Sequence, residues 1–133
     1  DLNRQDATGG TPAHGAAQLG HVQIIEIIVQ SSADLNQQDH EGNTPCHMAA
    51  AHGHSQIIAI LAQEGVDLNS QNSYGYTPAH AAAEKGHASA IFALHEAGAD
   101  LHKSDDTGLT PFHVAVARNH LQIIKAFSKL EVN

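Results

Sequence analysis

Twelve histidines and one cysteine are the chemically loaded residues of this 133-residue chain. Cys46 and His47 are adjacent, and their types are those of a thiolate nucleophile and its base. Neighbouring side chains on a helix diverge by about 100°, so this pair cannot form the nucleophile–base contact. His40, His47, His52 and His54 would be the ligands of a zinc site. Structural zinc takes a closed tetrahedral set, usually with cysteine. His52 and His54 stand two apart across a helix end and are expected to face different ways, and Cys46 is expected to be buried. No Gly-x-Ser-x-Gly, phosphate loop or His-Glu-x-x-His occurs. The chain therefore reads as non-enzymatic, with no catalytic residue, metal or cofactor expected.

Most of the histidines answer to a different logic. Four follow Thr-Pro-x, at His14, His47, His80 and His113, and four more stand at His21, His54, His87 and His120. The threonines before them fall at 11, 44, 77 and 110, a period of 33 without slippage. A period of about 20–50 residues signals stacked units, each too small to bury a core alone. Eight histidines thus belong to a framework, where hydrogen bonds to loop and cap groups are expected. His40, His52, His95 and His102 are additional.

The unit from Asp39 to Gln71 shows what the framework must build. Asp39-His40-Glu41-Gly42 is a turn, with glycine in the same slot at Gly9, Gly75 and Gly108. Thr44 caps a first helix, Pro45 fills its first turn where no N–H is needed, and Gly53 ends it. His54 opens a second helix whose apolar stripe is Ile57, Ile58, Ile60 and Leu61, closed by Gly65. Departures are few. Ser32 and Glu131 replace closing glycines, Asn119 replaces the glycine between the last two helices, and Asn72 replaces the turn aspartate.

The recurring Asp-x-x-Gly-x-Thr-Pro-x-His-x-Ala-Ala-x-x-Gly-His, followed by an Ile/Leu stripe and Gly-Ala-Asp-Leu-Asn, resembles the ankyrin repeat over the whole chain. The resemblance implies an all-α solenoid of helix-turn-helix units with protruding β-hairpin-like loops. It divides the chain into a leading hairpin at 1–10 and repeats at 11–43, 44–76, 77–109 and 110–133. It also implies a protein partner, held on a concave face made by hairpin tips and first helices. Carried over by position, the tips are Ala7, Thr8 and Gly10; His40, Glu41 and Asn43; Ser73, Tyr74 and Tyr76; Asp106, Thr107 and Leu109. The first-helix ends add Gln18, Leu19, Ala51, His52, Glu84, Lys85, Ala117 and Arg118. The Asn of Asp-Leu-Asn is a target of asparaginyl hydroxylation in similar proteins, which here implies Asn36 and Asn69, against their plainer use as loop hydrogen-bond partners.

Within this set the two tyrosines of the chain, Tyr74 and Tyr76, fall on one tip and are the expected anchors of an interface. Their alternative role is to stack on neighbouring tips. Phe112 and Phe127 are expected in the core, and Phe92 on the convex side. The net charge of −8, with only six Lys and Arg, argues against nucleic acid and against an anionic membrane surface. It favours a partner with basic patches. Protonating all twelve histidines would carry the charge from −8 to +4. One cysteine allows no internal disulfide, which fits a cytoplasmic protein. A monomer is expected.

Val29, Ala62, His95 and Ser128 share a stacking slot that turns polar toward the C-terminus, so the fourth unit is expected to end the stack. At the front, Val22, Ile24, Ile25, Ile27 and Ile28 suit further protein before residue 1, as a piece of a longer chain would require. A second reading follows: the substrate- or host-target-recognition part of a larger enzyme or bacterial effector, with its catalytic domain elsewhere.

Overall fold

Eight helices form four pairs in a computed structural model that describes residues 1–132. They are α1 Pro12–Leu19, α2 Val22–Gln30, α3 Pro45–Ala51, α4 Ser55–Gln63, α5 Pro78–Lys85, α6 Ala88–Glu96, α7 Pro111–Ala117 and α8 Leu121–Val132. Asn133, assigned above to the fourth unit, lies outside the described residues. Each first helix packs on its own second helix and on the first helix of the next unit, and the second helices stack likewise. The result is two helical layers with the loops projecting from one edge. No strand is assigned among the described residues.

The Thr-Pro-x-His motif starts every first helix by one device. The Thr44 hydroxyl accepts from the His47 amide at 3.3 Å, and the Thr44 amide donates back to His47 Nδ1 at 3.1 Å. Histidine here takes the part that Glu or Gln plays in an ordinary capping box. The same pair of bonds recurs at Thr77 with His80 and at Thr110 with His113. Pro45, Pro78 and Pro111 each open the helix that follows.

The core is one row of side chains running through the stack. Ile57, Ile58 and Leu61 of α4 are fully buried, as are Ile91 and Leu94 of α6 and Ile123 of α8. Burying a side chain of this size contributes about 1.5–3 kcal/mol. The alanines Ala49, Ala50, Ala82 and Ala83 are also fully buried and let first helices approach closely.

Gly53 is needed for two reasons. Its φ is +75°, and a Cβ there would meet His87 Nδ1 of the next unit at 2.7 Å. Gly20 and Gly86 receive His54 and His120 in the same manner. Asn119 holds the fourth such slot with φ +59°, a conformation asparagine tolerates.

Phe127 is buried as expected, but Phe112 is not: it is 38% exposed. Ala13, Cys46 and Ala79 in the same slot are buried because the next unit covers them, and among the described residues no further unit covers Phe112. Its ring instead packs edge-on against Phe127, with centroids 5.7 Å apart. Phe92 is half-buried and shares a surface cleft with Ala59 and Gln63.

Candidate functional site

Hydrogen-bond ladders fix the loops relative to the helices. His14, His47 and His80 each point Nε2 at a backbone carbonyl 29 residues later, on Asn43, Tyr76 and Leu109, at 2.7, 2.7 and 2.8 Å. Nδ1 already accepts the threonine amide, so Nε2 carries the proton and donates. Neighbouring tips join through backbone bonds: the His40 amide donates to Thr8, Ser73 to Glu41 and Asp106 to Tyr74. Gln5, Gln38 and Gln71 each bond a carbonyl in their own loop and one in the next.

Asn36 and Asn69 belong to a third ladder. Their Oδ1 atoms accept the amides of Asp67 and Asp100 at 2.9 and 2.8 Å, as Asn3 does for Asp34. His102 stands in that slot on the fourth loop. The side-chain amides are therefore engaged in holding one loop to the next.

Between the tips at 41–43, 72–76 and 105–109 and the first helices lies an open cavity of about 620 Å³. It is lined by Glu41, Asn43, Ser73, Tyr74, Tyr76, Glu84, Lys85, Asp106, Thr107 and Leu109, all named above from the sequence. Ala51 is there too. Asp105, expected near this face as one of its acidic residues, lines it as well, and the sequence reading missed His47, Met48, Asn72 and Ala81, which complete the wall. Met48 and Ala81 share the slot of Gly15 and Val114, and its variation between units was the available signal.

Tyr74 is 62% exposed over this cavity. Tyr76 is half-buried; its ring lies parallel to His80 at 5.1 Å and edge-on to Tyr74 at 6.5 Å. Its hydroxyl points to Glu84 Oε2 at 3.5 Å. Burial, with Glu84 and Asp105 nearby, raises the phenol above its usual range, so it stays protonated and a donor. Tyr76 thus serves both the framework and the cavity, while Tyr74 faces solvent.

The cavity is acidic. Burial pushes Asp105 up, but the Leu109 and Thr107 amides and the Thr107 hydroxyl outweigh it and hold this carboxyl below the usual range. Arg118 offsets one charge by pairing with Glu84 at 3.0 Å. Glu41 and Asp106 are exposed and line the opening.

The remaining positions lie outside. His40 is exposed and its ring lies against Gly9 on the preceding tip. Ala7 and Thr8 are exposed on the first tip, whereas Gly10 is buried. Leu19 is 65% exposed at the end of α1. Gln18 is exposed, and its carbonyl lies 3.1 Å from His54 Nε2. Ala117 is exposed at the end of α7. His52 is exposed, and one expectation about it fails. The His52 and His54 rings lie parallel at 6.4 Å, facing the same way. His52 is the C-cap of α3 and His54 the N-cap of α4, and the left-handed turn at Gly53 between them swings the two side chains to one side. Even so, no group of three His, Cys, Asp or Glu placed to hold a metal ion occurs among the described residues. Cys46 is buried, and burial together with Asp67 pushes its thiol up to about 12, which keeps it protonated and unreactive. No described helix is long and apolar enough to cross a membrane.

A family model described as ankyrin repeats in three copies matches residues 1–72 and again residues 56–133. No curated protein matches the chain.

Proposed function

Since the chain belongs to the ankyrin-repeat family, whose repeats are generally protein-interaction modules and typically non-catalytic, we propose that it holds a protein partner in the cavity between the loop tips and the first helices. The observation that carries this reading is Tyr74, a large ring left 62% exposed above a cavity whose other walls are fixed by framework bonds. Rigid aromatic anchors beside a preformed recess are typical energetic centres of interfaces.

The carboxylates select the partner's chemistry. Glu41, Asp105 and Asp106 surround the tyrosines and outnumber Lys85 at the opening. An exposed Lys or Arg of the partner can lie over the Tyr74 face and meet these carboxylates at once. The partner segment is therefore basic.

A displayed random-peptide library, selected on the wild-type chain and counter-selected on Tyr74→Ala, tests this. Enrichment of Lys- and Arg-bearing segments is expected. Selection of acidic segments, or of peptides that bind Tyr74→Ala equally well, would reject the reading.

A further inference from the structure

Of the eleven glycines, nine have a positive φ that accounts for them. Gly10 is buried in the first tip, with Thr8, Asp6 and His14 within 4 Å of where a Cβ would stand. Gly15 is different. It lies inside α1 without a positive φ, it is exposed, and nothing lies within 4 Å of its missing Cβ. A glycine inside a helix costs stability relative to alanine, and neither crowding nor backbone conformation asks for one here. Met48, Ala81 and Val114 hold its slot in the later units.

The bare backbone of Gly15 lines a second open recess, of about 500 Å³, together with Thr8, Pro12, Gln18 and Met48. Met48 also lines the cavity beneath Tyr74. It is half-buried, so one apolar side chain stands as the ridge between the two recesses. They make a single groove across the first helices, interrupted at Met48 and open on either side of it.

The second recess has the charge of the first. Asp6 and Asp39 outnumber Arg4 on its walls, as Glu41, Asp105 and Asp106 outnumber Lys85 in the cavity. Asp6, Asp39 and Asp105 each use Oδ1 to accept amides of their own turn, so this acidic rim is held in place by the framework. What sets the second recess apart is the vacant slot at Gly15. It leaves room for a side chain that the protein does not itself supply, beside a thioether able to adapt to it.

We propose that the basic segment held at Tyr74 continues across Met48 and seats a large apolar side chain in the recess over Gly15. This rests on the function proposed above and adds a second contact to it, one that sets which basic segments are accepted. α1, α3 and α5 pack in succession. The two contacts therefore lie two interaxial spacings apart, roughly 16–20 Å at about 8–10 Å each. An extended chain advances about 3.3 Å per residue, so the Lys or Arg and the apolar residue stand about five or six positions apart. A Leu, Ile, Met or Phe at that place meets Met48 and the exposed ring of Pro12.

Displayed random peptides long enough to span both recesses, selected on the wild-type chain, test this. The enriched set is expected to carry an apolar residue at that spacing from its Lys or Arg, always on the same side. Gly15→Met fills the recess without touching Tyr74, and thermal melts should show no loss of stability. Calorimetry should show the selected peptides binding Gly15→Met about tenfold or more weakly, the loss of one buried apolar side chain. Peptides whose apolar residue is replaced by alanine should bind wild type and Gly15→Met alike. An enriched set with no apolar residue at a fixed spacing overturns the proposal. So does equal binding of the selected peptides by wild type and Gly15→Met. If Tyr74→Ala then still abolishes binding, the cavity reading stands and only the second contact falls; if neither variant weakens binding, both fall.

Discussion

His47 Nε2 lies 2.7 Å from the carbonyl oxygen of Tyr76, so a buried histidine at the start of α3 holds the tip that carries the aromatic pair Tyr74 and Tyr76. The ring bonds on both edges, to Thr44 through Nδ1 and to Tyr76 through Nε2. Removing it orphans a buried amide and loosens a loop of the cavity.

His47→Ala should therefore destabilise the chain by about 2–4 kcal/mol, from an unsatisfied buried donor and a lost side chain. His113→Ala, at an exposed position, should cost about 1 kcal/mol or less. Urea unfolding of both variants measures the contrast, and equal costs would contradict the ladder.

Tyr74→Ala should weaken binding of a selected basic peptide by about 2 kcal/mol and leave the melting temperature within a degree or two. Tyr76→Ala should reduce both, because its ring also covers His80. Titration calorimetry paired with thermal melts separates the two roles.

Gly75 and Gly108 share a slot and a positive φ, +79° and +87°. A Cβ on Gly75 would collide with the Asp106 carboxylate and meet its backbone nitrogen at 2.5 Å, whereas one on Gly108 meets nothing within 4 Å. Gly108→Ala should cost about 1–2 kcal/mol, the strain alone. Gly75→Ala should cost distinctly more and disturb the cavity. Conversely Ser32, at φ +62° in the slot of Gly65 and Gly98, is strained, and Ser32→Gly should stabilise by about 0.5–1 kcal/mol.

Burial holds the His47 and His80 rings below their usual range, partly offset by the bonds to Tyr76 and Leu109 and by Asp39 and Asp105 respectively. A histidine with a lowered folded value is protonated more readily unfolded. Its contribution is whole above about pH 6.5 and is lost as acid is added below it. Each such ring can lower stability by up to about 1.4 kcal/mol per pH unit in that window. The melting temperature should fall between pH 7.5 and 5.5, and the His47→Ala/His80→Ala double variant should lose much of that dependence.

The repeat, the helix caps and the left-handed turns were legible because each is written in residues that act on their own neighbours: Thr44 with His47, Gly53, Ser32. Exposure of Phe112 was not, since its slot is buried only when another unit follows. Nor was the alignment of His52 with His54, set by one turn's handedness at Gly53. Most of the cavity wall could be named in advance from its positions on the tips. Met48 and Ala81 were overlooked because a wall also needs the depth behind the tips, which a slot-by-slot reading does not measure.

Side-chain bonds between neighbouring units, such as those of His54 and His120 to the carbonyls of Gln18 and Glu84, span 36 positions, little more than one unit. The helices pack from each pair to the next, so a tensile load on the ends of the stack is carried in series. Each junction would open separately, and the chain would lengthen by instalments, like a spring released coil by coil.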